Sequence, residues 1–320
     1  MTSHDRQRKE PSIADDREFR RHLFRALADE PLAPEDPRYL QLYEPESDVI
    51  LHLKETINFS GTRSTQLLSG YRGAGKSTEL RRLRQLLQTP DENYAVVLLD
   101  VEDYLDLHTP IDITIFLLVL CGAVGKQLHQ QKLVKSDPAR PGLGERLRNF
   151  LSSEVKIGEV TLNGKAGANV AGVEIGLEAS TQIELKSNPL FRQRVQESLA
   201  QSLGQLTTEV RGFFAECSEA VRACHKGAGL VILVDSIEHA RGTNETETRV
   251  HEALERLFAD HDDKLKLPGV HLVYTVPPWL RIRRPNIGSP YSGVGLYTLP
   301  AQKCARTQGK AAKAKRTSGA

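Results

Sequence analysis

Apolar positions along the chain follow two spacings, and the changes between them divide it into elements. Four runs are continuous and of strand length: Thr65 to Ser69, Tyr94 to Asp100, Gly229 to Asp235 and Val270 to Thr275. Unbroken apolar runs suit strands covered on both faces, which is the condition of a parallel sheet. Between them the spacing is three and four. Val49, Leu53 and Ile57 predict a helix capped by Ser47 or Asp48 and ending near Gly61. Leu80, Leu83, Leu86 and Leu87 predict a second, and Val250, Leu254, Leu257 and Phe258 another. Thr109-Pro110 reads as the N-cap and first residue of a buried helix through Ile115, Leu118 and Val119. Strand and helix patterns in alternation predict an α/β fold, a mostly parallel sheet flanked by helices.

Two stretches depart from that rhythm. After a short helix ending near Leu151, apolar residues alternate singly at Val160/Leu162, at Val173 to Ala179 and at Ile183/Leu185, with Asn163-Gly164 among the turn signals. This predicts an inserted β-hairpin, either an interaction arm or a loop folded over the core. From Phe191 to about His225 the pattern is one long helix. Leu203, Leu206, Val210, Phe213, Cys217, Ala220 and Cys224 lie three and four apart, a seam for its own domain or for a coiled-coil partner. Ahead of the first strand, Phe19, Leu23 and Leu27 predict a short amphipathic helix before the linker Glu30–Pro37. The expected organisation is an extension and linker over 1–46, a main domain over 47–300 with an insert at about 152–226, and a tail over 301–320.

Charge changes the picture only at that tail. The formal net charge is +2, but residues 301–320 hold six Lys/Arg and no acid, so residues 1–300 carry a net −4. The body therefore offers no basis for nucleic-acid binding, and the tail alone leaves that question open. Its Ala, Lys, Arg, Gly, Ser and Thr cannot bury a core and are expected to be disordered, either a frameshifted or truncated end or a genuine basic tail. Four cysteines without a C-x-x-C pair read as reduced thiols. The start lacks a secretory pattern and the run Ile115–Val124 is short for a bilayer, so a cytoplasmic protein without membrane contact is expected.

The chemistry begins at Gly70-Tyr71-Arg72-Gly73-Ala74-Gly75-Lys76-Ser77, which fits G-x-x-x-x-G-K-[ST], followed by Thr78. Glycines let successive N–H groups turn toward one anion, and the helix that follows points its positive end there. Lys76 would reach β- and γ-phosphates and Ser77 would ligate Mg²⁺. Downstream, a buried strand ends in Asp235, a second Mg²⁺ ligand at the carboxyl end of the sheet. Ser236 follows where an adjacent Glu is common, so Glu238 is the candidate for orienting an attacking water, or else a solvated carboxylate paired with Arg241. Thr275 ends the last strand, either a γ-phosphate sensor or an ordinary strand end before Pro277. Arg281, Arg283 and Arg284 are either trans-acting arginine fingers or a basic loop.

The order of phosphate loop, insertion, Asp235-Ser236-Ile237-Glu238 strand end and Val-His-Leu-Val-Tyr-Thr strand resembles the additional-strand P-loop ATPases. The likeness is to the AAA+/STAND side, with its KAP and Orc-like members. The stretch Ser69–Leu80 is similar to bacterial ATP-binding proteins of conflict and phage-defence loci. The resemblance covers about residues 45–298. It implies ATP as nucleotide, with the Thr275 strand beside the phosphate-loop strand. Such ATPases usually carry a helical lid with a second sensor arginine after the position of Pro300, and this sequence has none there. The expected role is an ATP·Mg²⁺-dependent switch that meets a protein partner, an effector for instance, through the insert or long helix, alone or as a homo-oligomer. A scaffold that binds ATP with little hydrolysis is the alternative. GTP is disfavoured because the nearest guanine motif, Val134-Lys135-Ser136-Asp137, has Val where Asn or Thr is needed, and a small-molecule kinase lacks a compact arginine-rich lid.

Overall fold

The four apolar runs become strands β1 (Ser64–Gly70), β2 (Ala95–Asp100), β3 (Leu230–Asp235) and β4 (Val270–Val276). A fifth, β5 (Leu296–Leu299), is too short and too polar to stand out in the sequence. All five form one parallel sheet in the order β2-β3-β4-β1-β5, in a computed structural model. That structure describes residues 13–26, 30–41, 43–134, 145–155, 179–225, 227 and 229–300. The strand ending in Thr275 lies beside the phosphate-loop strand, Leu68 opposite Thr275, as the resemblance implies.

Helices cover both faces. On one side α2 (Val49–Phe59) and α3 (Lys76–Leu87) pack their Ile50, Leu53, Ile57, Leu80, Leu83 and Leu87 onto Leu68, Val96, Val231, Leu233 and Val273. Before them, α1 (Ile13–Ala26) leaves Phe19, Leu23 and Phe24 exposed; Leu27 lies outside the described residues. Helix α2 (Val49–Phe59) starts where Asp48 accepts the amide of Ile50 at 2.9 Å, and α3 (Lys76–Leu87) follows the glycine loop. On the other side lies α4 (Ile113–Gln130), long and apolar enough to cross a membrane by length and composition alone. Fourteen of its residues are buried, in a core shared with the sheet, so its hydrophobicity is that of a central packing element.

The α4 start corrects the Thr109-Pro110 reading. Asp112 accepts the amide of Thr114 at 2.8 Å and caps the helix, while the Thr109 hydroxyl donates to the Asp106 carbonyl in the preceding turn. A carboxylate two residues ahead of a free amide outcompetes the Thr-Pro pair as a cap.

In the stretch expected to be an insert, the described elements are all helices: α5 (Glu145–Val155), α6 (Ala179–Ser187), α7 (Pro189–Ala200) and α8 (Leu203–Cys224). The predicted strand pair Ile183/Leu185 therefore falls on α6, with Leu185 buried and Ile183 exposed. A spacing of two also occurs between the inner and outer faces of a helix, and here tertiary burial decided the outcome. Residues 160–177, the rest of the predicted hairpin, and the tail 301–320 lie outside the described residues. The single long helix is two, broken at Gln201-Ser202, with Asn188 capping α7 through the Phe191 amide at 3.1 Å. Leu206, Val210, Phe213, Cys217 and Val221 of α8 are buried in the core they share with α4 and α5, so the heptad seam serves the chain's own fold. After β3, α9 (Glu247–Glu255) runs into a π-helical turn, Arg256–Asp260.

Candidate functional site

The loop between β1 and α3 takes the shape its glycines permit. Gly73 and Gly75 have φ of 77° and 84°, left-handed values that side chains resist, and a Cβ at either would meet nothing within 4 Å. Glycine is needed there for conformation, and the space above the loop stays open. Gly70 is constrained differently. A Cβ there would sit 3.2 Å from the Leu299 carbonyl oxygen and 3.4 Å from Lys76 Cγ, so the missing side chain lets β5 close against the root of the loop.

Lys76 folds back over this loop. Its Nζ donates to the carbonyls of Gly70 at 2.9 Å and Tyr71 at 3.0 Å, and it pairs with Glu238 Oε1 at 3.0 Å; both side chains are 4% exposed. Glu238 reaches it because Ser236 turns left-handed at φ 70° directly after β3, and the 3-10 turn Ile237–His239 then swings the carboxylate inward. This corrects the expectation of a solvated Glu238 paired with Arg241. Arg241 is exposed, and its amide donates to the Leu107 carbonyl at 2.9 Å instead. Glu238 Oε2 is buried with no hydrogen-bond partner, so one acceptor is left unused inside the site.

The other predicted residues gather around this pair. Buried Asp235 accepts the Ser236 amide at 2.8 Å. Burial raises its carboxyl to about 6, with help from the negative charge of Glu238, while hydrogen bonds from the Ser77 hydroxyl and the Ser236 amide act the other way. Thr275, fully buried, accepts the Ile237 amide on its hydroxyl at 3.2 Å, which ties the end of β4 to the turn carrying Glu238. Thr78 is engaged elsewhere, its hydroxyl accepting the Leu32 amide at 3.1 Å. Tyr71 and Arg72 are exposed at the loop tip, and Ala74 is buried. Arg283 pairs with Glu255 Oε2 at 2.9 Å and Arg284 with Glu255 Oε1, so neither is a free cation; Arg281 is exposed.

Two groups near the site carry no role in the sequence reading. Asp100 lies opposite Asp235 in the β2–β3 register, and Asp-terminated apolar runs on two neighbouring strands were its available signal. His239 Nδ1 lies 2.7 Å from Glu102 Oε1, linking the turn after β3 to the turn after β2. No local pattern announces that contact, because it depends on the parallel register.

These groups fit a nucleoside triphosphate with Mg²⁺. The open left-handed loop suits phosphate oxygens, Lys76 supplies the cation, and Ser77, Asp235 and the spare Glu238 oxygen are hard oxygen ligands of the kind Mg²⁺ takes. Among the described residues, no group of three or more His, Cys, Asp or Glu is placed to hold a metal by itself.

Asp235 carries a stability cost whose sign follows from its raised carboxyl. Between the ordinary value of 3.8 and about 6, the folded state binds more protons than the unfolded one, so apo stability falls as pH rises across that window. Asp235→Asn is expected to stabilise the apo protein at pH 8 by about 1–3 kcal/mol and to flatten that decline. Calorimetric melts at pH 4, 6 and 8 measure it; an Asn variant that melts no higher at pH 8 would refute it.

A glycine loop between β1 and its helix, with an acid ending β3 two places away in the sheet, decides the architecture. The fold is α/β, a five-stranded parallel sheet flanked by helices. No protein-family model and no curated protein matches the chain. Among solved structures it is similar to the Walker-type ATPase paby2304 of Pyrococcus abyssi. The identity is 14% and the TM-score 0.30, over 81% of this chain and 54% of that one. The chain thus spans about half the length of that protein.

Proposed function

We propose that this chain binds ATP·Mg²⁺ at Gly70–Thr78 and Asp235, hydrolyses it, and acts as a nucleotide-dependent switch. The observation that carries the reading is the buried Lys76–Glu238 pair, 3.0 Å apart at the mouth of an open glycine loop. A carboxylate there stands where phosphate oxygens would, so the two compete for one ammonium group. Binding of a triphosphate draws Lys76 onto the β- and γ-phosphates and leaves Glu238 free to orient a water for attack. Bound Mg²⁺ would neutralise charge on the phosphates. Thr275 holds the turn that carries Glu238, so its role is positioning that turn, with its own O–H still available to a phosphate oxygen. The domain limits proposed are 47–300 for the ATPase body and about 152–226 for its insert.

The partner surface proposed is the insert. Ile183 on α6 and Leu190 on α7 are large, apolar and exposed, whereas the α8 seam is occupied. A bacterial conflict or phage-defence role, with an effector as partner, rests on the resemblance of Ser69–Leu80 alone, and a cytoplasmic setting on the cysteine pattern.

Steady-state phosphate release by wild type and Glu238→Gln tests the reading. Turnover is expected to fall by about 10²-fold or more in the variant, while ATP binds more tightly because Lys76 loses its competing charge. Equal turnover in both would remove Glu238 from the mechanism. The scaffold reading is favoured by one feature, Ser236 in the position after Asp235 where a carboxylate would serve directly. Phosphate release near background in both proteins, with ATP still bound, would establish it.

A further inference from the structure

On the opposite helical layer lies a cavity of about 610 Å³ that includes none of the phosphate-loop residues. It is walled by the loop entering α4, the start of α7, and α9 with its π-helical turn. We infer that this cavity is a second ligand site, for a phosphate-bearing small molecule of up to nucleotide size.

Three independent features point there. Arg192, Arg249 and Arg256, from three separate elements, line the cavity. Arg192 is anchored by the Thr109 hydroxyl at 2.6 Å, whereas the guanidinium groups of Arg249 and Arg256 have no hydrogen-bond or ion-pair partner among the described residues. Two carboxylates also line it, Asp112 and Glu252, but Asp112 is spent capping α4 through the Thr114 amide. Two helices of 18 and 12 residues, α4 and α7, begin at the cavity wall, so both present the positive end of their dipoles to it. The third feature is the π-helical turn, a distortion that costs regular hydrogen bonding and recurs at functional sites. Here the His261 amide bonds the Arg256 carbonyl at 3.1 Å, a five-residue step, and brings both side chains onto the cavity wall. The His261 Nδ1 atom is buried without a partner, so no hydrogen bond fixes that edge of the ring.

The chemical class follows from charge and size. Guanidinium forks favour phosphate and carboxylate oxygens, and a cavity of about 610 Å³ exceeds the needs of a bare anion while lying within the usual range for small ligands. The same wall leads to the phosphate-loop site. The Arg241 amide bonds the Leu107 carbonyl, and the His108 ring lies 3.2 Å from the Arg241 carbonyl oxygen, which joins the loop before α4 to the segment after β3.

Isothermal titration of the full chain with inorganic pyrophosphate, without Mg²⁺, tests the site against the double variant Arg249→Ala/Arg256→Ala. Both arginines are exposed, so the variant should fold, and the phosphate loop acts as an internal control. The wild type is expected to show one pyrophosphate equivalent that weakens at least tenfold in the variant, while ATP affinity stays unchanged. An identical isotherm in the two proteins overturns the site. Citrate binding the wild-type cavity as tightly as pyrophosphate overturns the phosphate class. Loss of a pyrophosphate equivalent in Lys76→Ala/Glu238→Gln but not in the arginine variant would assign all binding to the phosphate loop and also overturn it.

Discussion

Lys76→Ala is expected to destabilise the protein by about 3–5 kcal/mol, in addition to losing the ATP binding proposed above. The cause is the partner left behind. Glu238 is 4% exposed, one of its oxygens already lacks a hydrogen bond, and without Lys76 its charge is buried uncompensated. Glu238→Gln alone should cost far less, because Lys76 keeps the Gly70 and Tyr71 carbonyls. The double variant should recover much of the loss, giving a coupling energy of about 1–3 kcal/mol in urea titrations. Additive losses would show that the two side chains do not act as a pair. The result matters for any binding assay, since a Lys76→Ala protein that fails to bind nucleotide must first be shown to be folded.

Arg82→Met should lower stability by a similar 3–5 kcal/mol through a different junction. The Arg82 guanidinium is buried between Asp48 and Glu79, bonding Glu79 at 3.0 Å and both oxygens of Asp48. Burial works against its charge, but the two carboxylates overcome that and hold its proton more firmly than usual. Asp48 is fully buried and also caps α2, and Glu79 accepts the Tyr39 hydroxyl at 3.0 Å. One side chain therefore clamps α3, the α2 start and the preceding linker. A thermal melt should drop by roughly 6–20 °C, and Arg82→Lys should restore little, since an ammonium cannot fork to both carboxylates. Restoration of the wild-type melt by Lys would show that charge alone suffices.

Much of the site was legible because its signals are local. Glycines at fixed spacing and a lysine opening a helix need no tertiary knowledge, and Asp235 stands out because a buried strand leaves few places for an acid. The strand runs were legible for the same reason, since both faces of each are covered. Glu238 was found, but its partner was not, because the Ser236 turn that aims it at Lys76 is a backbone choice no composition reveals. The Arg82 junction was missed outright, as a lysine- and arginine-rich helix reads as solvated until the linker is laid across it. β5 has four residues and no apolar run, and only its contact with Gly70 gives it meaning. The helical insert misled for a physical reason: a period of two over four residues is compatible with either structure until burial decides.

The strand order has a consequence for how the protein is made. β1 leaves the ribosome before the other four strands, yet its neighbours are β4 and β5, with Ser64 pairing His271 and Leu67 pairing Leu296. Those contacts span more than 200 residues, so the loop-closure entropy that opposes them is met only after β4 and β5 have been made. Until then the phosphate loop hangs from a strand with no partner on either edge, and an unpaired apolar edge is where misassembly starts. The strand that leads into the glycine loop is therefore the one that waits longest to be built into the fold.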